Sequence, residues 1–207
     1  HLLLPPPDEA GWDVPDVPEE SGASSLSGRY EALRCRLRSR LAAEAVYDGG
    51  PTGPVVDALA EARRCGDPTA LAEALSLCHH ALLAPEHAHD RLALADELVR
   101  VGSEAGDGVQ ALMGLCWRAV DLFLLGDERA PRALEDLRQR ADALACQNIL
   151  YIVDAIDVML LVRAGRLDEA EAAAHRTHEL GVAVGEVDAL GYLGAHILVI
   201  RFIQGRE

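Results

Sequence analysis

Gly165-Arg166-Leu167-Asp168-Glu169-Ala170 separates a long apolar run, Ile149 to Val162, from a polar-faced helical run, Glu169 to Leu180. Glycine takes the left-handed conformation that closes a helix without the steric penalty a Cβ imposes. Asp168 is placed to cap the free amides of the following helix, and Ala170 is small enough for two helices to approach closely. One such turn makes a helical hairpin. Its recurrence makes an architecture.

Turns of this kind, inside hairpins, fall at Gly126, Gly165 and Gly205, separated by 39 and 40 residues. Turns between hairpins fall at Gly66, Gly106, about Cys146 and Gly185, again about 40 residues apart. Two interleaved series with one period describe helix pairs stacked side by side, each burying its apolar face against the next. The expected fold is therefore all-α, an α-solenoid with four helix pairs and one unpaired helix. Predicted helices cover 26–47, 54–65, 69–83, 86–103, 109–125, 131–145, 147–164, 167–181 and 187–203. Gly66-Asp67-Pro68 carries the whole punctuation at one joint: a glycine past a C-terminus, an Asp N-cap and a proline in the first turn.

Composition supports this reading. Half the residues are apolar but only 4% are aromatic, so the core must be made of Leu, Ala and Val. Leu and Ala are strong helix formers, and no segment alternates with the period of a strand. Residues 1–24 differ: Pro5, Pro6, Pro7, Pro15 and Pro18 with six acidic residues read as a linker, and 25–207 as the helical-repeat domain. The chain reads as a fragment of a longer polypeptide. The tripeptide Leu2-Leu3-Leu4, followed by three prolines, is too short for a signal sequence.

The charge balance, 19 basic against 34 acidic residues, gives −15 and argues against direct contact with nucleic acid. Asp154 and Asp157 interrupt the longest apolar run, so no membrane span is expected. The five cysteines, Cys35, Cys65, Cys78, Cys116 and Cys146, are odd in number and form no CxxC pair. They fit reduced, packed thiols of a cytoplasmic protein.

The turn at Gly165–Ala170 resembles the hairpin turn of tetratricopeptide repeats, although the period of about 40 exceeds the usual ~34. Four phrases resemble the repeat region of large actinobacterial ATP-binding regulators. They are Arg38-Ser39-Arg40-Leu41-Ala42-Ala43-Glu44, Ala62-Arg63-Arg64-Cys65-Gly66-Asp67-Pro68, Arg91-Leu92-Ala93-Leu94-Ala95-Asp96-Glu97-Leu98 and Trp117-Arg118-Ala119-Val120-Asp121-Leu122. In those regulators an ATPase module precedes tetratricopeptide-like repeats, and a LuxR-type helix-turn-helix often follows. The resemblance, over residues of about 30–205, implies a sensory or scaffolding segment of a transcription regulator. Neither a GxxxxGK[ST] loop nor a basic recognition helix occurs here.

Few residues invite chemistry. His79, His80, His87 and His89, with Asp90 and Cys78, form the one ligand-like cluster. Adjacent histidines on a helix point apart, so no metal is expected. Asp154 and Asp157 share a helix face at i,i+3. Arg118 and Asp157 each lie eight residues before a hairpin glycine, so Arg118 is predicted to meet Asp157 or Asp154 as a structural ladder, with His79 and His196 at flanking rungs. If the first helix of each pair lines a concave face, as in tetratricopeptide arrays, that face carries Met113, Cys116, Val120, Phe123, Ile152, Met159 and Val162. No nucleophile motif is present.

These readings lead to a non-enzymatic interaction module of a transcription regulator, without cofactor, binding a protein partner or another part of its own polypeptide. The alternative is a sensor domain that holds a small effector in its apolar groove. A third is self-association through an uncovered last helix, giving a homodimer.

Overall fold

The structure, a computed structural model, describes residues 19–206, with side chains from Leu26 onward. Residues 1–18 of the predicted linker lie outside the described residues. The first helix opens at Glu19, earlier than the start at residue 26 expected from sequence. The elements are α1 (Glu19–Tyr47), α2 (Gly53–Cys65), α3 (Pro68–Ala81), a 3-10 turn (Pro85–His87), α4 (Ala88–Glu104), α5 (Gly108–Leu124), α6 (Ala130–Ala143), α7 (Gln147–Arg163), α8 (Leu167–Val184) and α9 (Ala189–Gln204). Among the described residues there is no strand.

Local chemistry sets most boundaries. The Asp67 carboxylate accepts from the Ala70 amide at 2.7 Å, and Pro68 occupies the first turn of α3. Asp107 does the same for α5, accepting from the Val109 and Gln110 amides at 3.1 Å. Asp168 behaves differently from the sequence expectation. It makes no capping bond; Arg166 precedes the helix and its guanidinium holds Glu169, Nε to Oε1 2.8 Å. Asp168 and Glu169 still place negative charge at the positive end of the α8 dipole.

Left-handed residues end the helices at Gly66, Gly106, Gly126, Gly165, Gly185 and Gly205, with φ between 65° and 77°. The position between Gly106 and Gly185 is filled by Ala145, at φ 51°. One corner uses another device. Between α3 and α4 no residue turns left-handed, and the α3 carbonyl ends are met by a side chain. Arg91 Nη1 donates to the Leu82 carbonyl at 2.9 Å and to the Ala84 carbonyl at 3.3 Å.

Each helix packs on its neighbours in sequence. In addition α1, α3, α5, α7 and α9 contact one another in that order, whereas the even-numbered helices touch, at backbone distance, only the helices before and after them. The odd helices therefore form a row. This explains why α7 is apolar on nearly every side: α5, α6, α8 and α9 all pack against it. Three apolar clusters fill the interior. Val55, Leu75 and Leu98 belong to the first, Leu112, Leu137 and Val153 to the second, and Val158, Ala174 and Ile200 to the third. Met113 touches both the first and the second. The two outermost helices of the row keep apolar side chains in solvent: Leu26, Tyr30, Leu33, Leu37 and Leu41 on α1, and Leu190, Leu198 and Phe202 on α9.

Candidate functional site

The clearest concentration of recognition chemistry spans α1, α3 and α5. Tyr47 closes α1, His80 lies in the last turn of α3, and Trp117 lies midway along α5. Their rings form a continuous run: Tyr47 to His80 is 5.7 Å between centroids, and His80 to Trp117 is 5.4 Å. Trp117 also stacks on His79 at 4.9 Å with the planes 20° apart, and its indole N–H donates to Ser76 Oγ at 3.1 Å. Tyr47 is 53% exposed, whereas His80 and Trp117 are half-buried, so the run grades from solvent into the protein.

Beneath Trp117 the support is fully enclosed. His79 Nε2 lies 2.7 Å from Asp121 Oδ2, and Arg91 Nε donates to Asp121 Oδ1 at 2.8 Å. One carboxylate thus ties α3, α4 and α5 together and balances the guanidinium that closes the α3–α4 corner. His79 Nδ1 is buried with no hydrogen-bond partner. A histidine on a buried aspartate resembles part of a catalytic triad, but no hydroxyl or thiol hydrogen-bonds to this histidine among the described residues. Burial, followed by the neighbouring His79, lowers the pKa of His80 below its ordinary 6.5. Burial followed by the Glu44 carboxylate raises that of the Tyr47 phenol. The surface at neutral pH is therefore an uncharged aromatic platform with a carboxylate nearby. Such a platform suits a flat or cationic side chain of a polypeptide.

The residues singled out from sequence are distributed as follows. Cys116 and Val162 are buried in the second and third clusters. Met113, Val120, Phe123 and Ile152 are half-buried and pack on the second cluster, and Met159 is half-buried. The Arg163 guanidinium lies over the Phe123 ring at 5.7 Å. The predicted ladder from Arg118 to Asp154 and Asp157 does not form. Arg118 reaches back to Asp96 on α4 at 3.3 Å, and Arg138 of α6 takes both aspartates, Nη1 to Asp154 Oδ1 2.8 Å. Burial, the first cause, raises the Asp157 pKa despite Arg138. Counting from a hairpin glycine identifies equivalent positions, but equivalent positions on successive helices point the same way rather than at each other: Arg118 of α5 turns to the preceding α4, and Asp157 of α7 turns to the preceding α6.

His79 meets Trp117 and Asp121, on either side of Arg118 in sequence, and His196 is buried beside Tyr192, ring centroids 6.4 Å apart. His87 lies 3.8 Å from Asp90, and His89 is exposed. Among the described residues no three His, Cys, Asp or Glu side chains converge on a metal position. All five cysteines are free. Burial pushes the thiols of Cys78 to about 11 and Cys116 to about 12, which keeps them protonated and inert.

Sequence reasoning missed Arg91 and Asp121. A signal existed: Asp121 stands in an otherwise apolar stretch of α5, and the α3–α4 corner lacks the glycine found at the other hairpin turns.

Two concavities indent the surface. One of about 510 Å³ is lined by Val109, Leu112, Leu144, Gln147, Asn148 and Val184, between the start of α5, the α6–α7 corner and the end of α8. The other, about 600 Å³, runs along α9 beside Leu198, Phe202 and Arg206. No helix of the described residues is long and apolar enough to cross a membrane. No family model matches the chain, and no curated protein or solved structure matches it.

Proposed function

We propose that the chain is a tetratricopeptide-like α-solenoid with a period of about 40 residues, serving as a non-enzymatic interaction module of a cytoplasmic transcription regulator. The row of odd helices supports this reading, as do the left-handed positions at 66, 106, 145 and 185 and at 126, 165 and 205. So does the resemblance of its phrases to actinobacterial ATP-binding regulators. The observation that carries the function is the Tyr47–His80–Trp117 run, which crosses three consecutive helices of the row and is open at the Tyr47 end. A polypeptide segment lying across the row would place an arginine, lysine or proline on those rings. The net charge of −15 favours a basic segment.

A second reading, a small-effector sensor, draws on the concavity between α5, the α6–α7 corner and α8. Its volume of about 510 Å³ falls in the range of ligand sites, and Gln147 and Asn148 add polar groups to an apolar lining. Native mass spectrometry of the protein purified from its host separates the two. A retained polypeptide that is lost on Tyr47→Ala supports the interaction module. A retained small molecule insensitive to Tyr47→Ala favours the sensor. Retention of neither counts against both.

A further inference from the structure

Two thiols from different helices meet at the joint between α1 and α2. Helix α2 runs back along α1 after the short connection 48–52. Glu61 shows the register between them, because α1 holds its carboxylate from two positions. Arg34 Nη2 donates to Oε1 at 3.1 Å, and Arg38 Nη1 stands 2.8 Å from Oε2. Cys35 lies between those two arginines in sequence, and Cys65 lies one turn beyond Glu61 on the same side of α2. In antiparallel helices a step toward the end of α2 is a step toward the start of α1, so Cys65 comes level with Cys35. The side chains complete the contact: the Cys35 thiol donates a hydrogen bond to the Cys65 sulfur.

The pair is asymmetric. Cys35 is 2% exposed, whereas Cys65, the last residue of α2, is half-buried and stands just before the left-handed Gly66. Burial, then the hydrogen bond and charge of Cys65, then Glu61 and Glu31, push the Cys35 thiol up to about 11, so it stays protonated at neutral pH. Cys65 is the sulfur that a dissolved oxidant reaches, and Cys35 is the one held against it from inside. The other thiols are placed differently. Cys116 senses Cys146 only through charge, and Cys78 is raised by burial alone.

We propose that Cys35 and Cys65 are a peroxide-sensitive thiol pair that closes to an intramolecular disulfide and ties α1 to α2. Hydrogen peroxide transfers one oxygen to the Cys65 sulfur: the O–O bond breaks, a sulfenic acid forms and one water leaves. The Cys35 sulfur then attacks the Cys65 sulfur, the S–O bond breaks, and the departing hydroxide takes the Cys35 proton as a second water. The two sulfurs lose two electrons between them, and the peroxide gains them. A high thiol pKa slows such an attack in free solution, but here the contact between the side chains removes the encounter step. The disulfide changes the hold on α1. Exposed ion pairs, Arg34 and Arg38 to Glu61 and Arg36 and Arg40 to Glu73, join that helix to α2 and α3, and such pairs contribute little. The inference uses neither the aromatic run nor the helix-pair reading, so it stands or falls without them.

The whole protein, reduced and then freed of reductant, is treated with hydrogen peroxide, denatured, alkylated and mapped by mass spectrometry. Two of the five thiols are expected to disappear, as one disulfide between Cys35 and Cys65, and to return with dithiothreitol. Limited proteolysis within α1 is expected to slow in the oxidised protein. In Cys35→Ser the oxidised Cys65 has no partner and is expected to be trapped by dimedone. Cys65→Ser changes a half-buried position at a helix end, and in that variant Cys35 is expected to keep its thiol at the same peroxide dose. Five thiols surviving the peroxide overturn the proposal. So does a disulfide that maps elsewhere or joins two chains, or dimedone labelling of Cys65 in the parent protein. A Cys35–Cys65 disulfide that leaves cleavage of α1 unchanged overturns its role as a tie.

Discussion

Arg91 Nε stands 2.8 Å from Asp121 Oδ1, with the two side chains 3% and 0% exposed, and the same guanidinium closes the α3–α4 corner that no glycine closes. A buried charge is tolerated only when paired and hydrogen-bonded, and here each partner depends on the other. Asp121→Ala would strand the guanidinium, with an expected loss of about 3–5 kcal/mol in urea unfolding. Arg91→Met combined with Asp121→Leu is expected to lose less than the two single changes added together, because neither leaves the other's charge buried alone. A loss below about 1 kcal/mol for Asp121→Ala would show that water reaches the pair and that it does not hold the corner.

Helices α4 and α5 approach through two glycines. A Cβ on Gly114 would lie 2.6 Å from the Val99 amide nitrogen, and one on Gly102 would lie 2.5 Å from that of Ala111. Both obstacles are backbone, so the helices themselves must separate. Gly114→Ala is expected to destabilise by about 1–3 kcal/mol, measured as a fall in the denaturation midpoint. Gly191→Ala is the control. It lies in α9 with nothing within 4 Å of the added carbon, and removing backbone freedom there should stabilise by about 0.5–1 kcal/mol.

These residues mark the limit of what the sequence discloses. The helices, their order and most of their ends were legible because each end is written locally, in a glycine past the last turn or an Asp at the first. Asp67 caps as expected, and Asp107 does the same after Gly106. Asp168, equally plausible by position, does not, because Arg166 takes Glu169 and α8 begins at Leu167, two residues earlier than an Asp168 cap would allow. Pairings between helices were not legible. They depend on which helix lies beside each face, which the glycine spacing leaves open, so Arg118 was matched to Asp157 although both turn toward the even helix before their own, Arg118 to Asp96 and Asp157 to Arg138. The aromatic run was hidden for the same reason. Tyr47, His80 and Trp117 lie 33 and 37 residues apart in sequence, and only the packing of three helices brings their rings together.

Ala145 occupies a left-handed conformation, φ 51°, at the place in the series where Gly106 and Gly185 stand. An L-residue with a Cβ pays roughly 1–2 kcal/mol there, and Ala145 has no polar side chain to offset it. Ala145→Gly is therefore expected to stabilise by about 1 kcal/mol, despite the greater freedom glycine gives the unfolded chain. Differential scanning calorimetry at constant pH checks it. An unchanged or lower melting temperature would mean that the strain is relieved elsewhere in the α6–α7 corner.

Acid should destabilise the protein before its carboxylates titrate. His80 is half-buried against Trp117 and Tyr47, and His196 is buried beside Tyr192; burial, joined at His80 by the neighbouring His79, lowers both pKa values below the ordinary 6.5. A lowered folded-state pKa means that the unfolded chain binds protons first as pH falls. The stability these two neutral rings contribute is thus complete above pH 6.5 and is lost as pH falls through their folded-state values. Asp157 works in the opposite direction, since burial raises its pKa and a raised carboxyl pKa favours the folded state on acidification. Melting temperatures measured from about pH 7.5 down to about 5 should fall for the parent protein and fall less steeply for His80→Gln combined with His196→Gln. A parent profile that is flat or rises across that interval would show that both rings protonate freely in the folded state, with water or a nearby carboxylate reaching them.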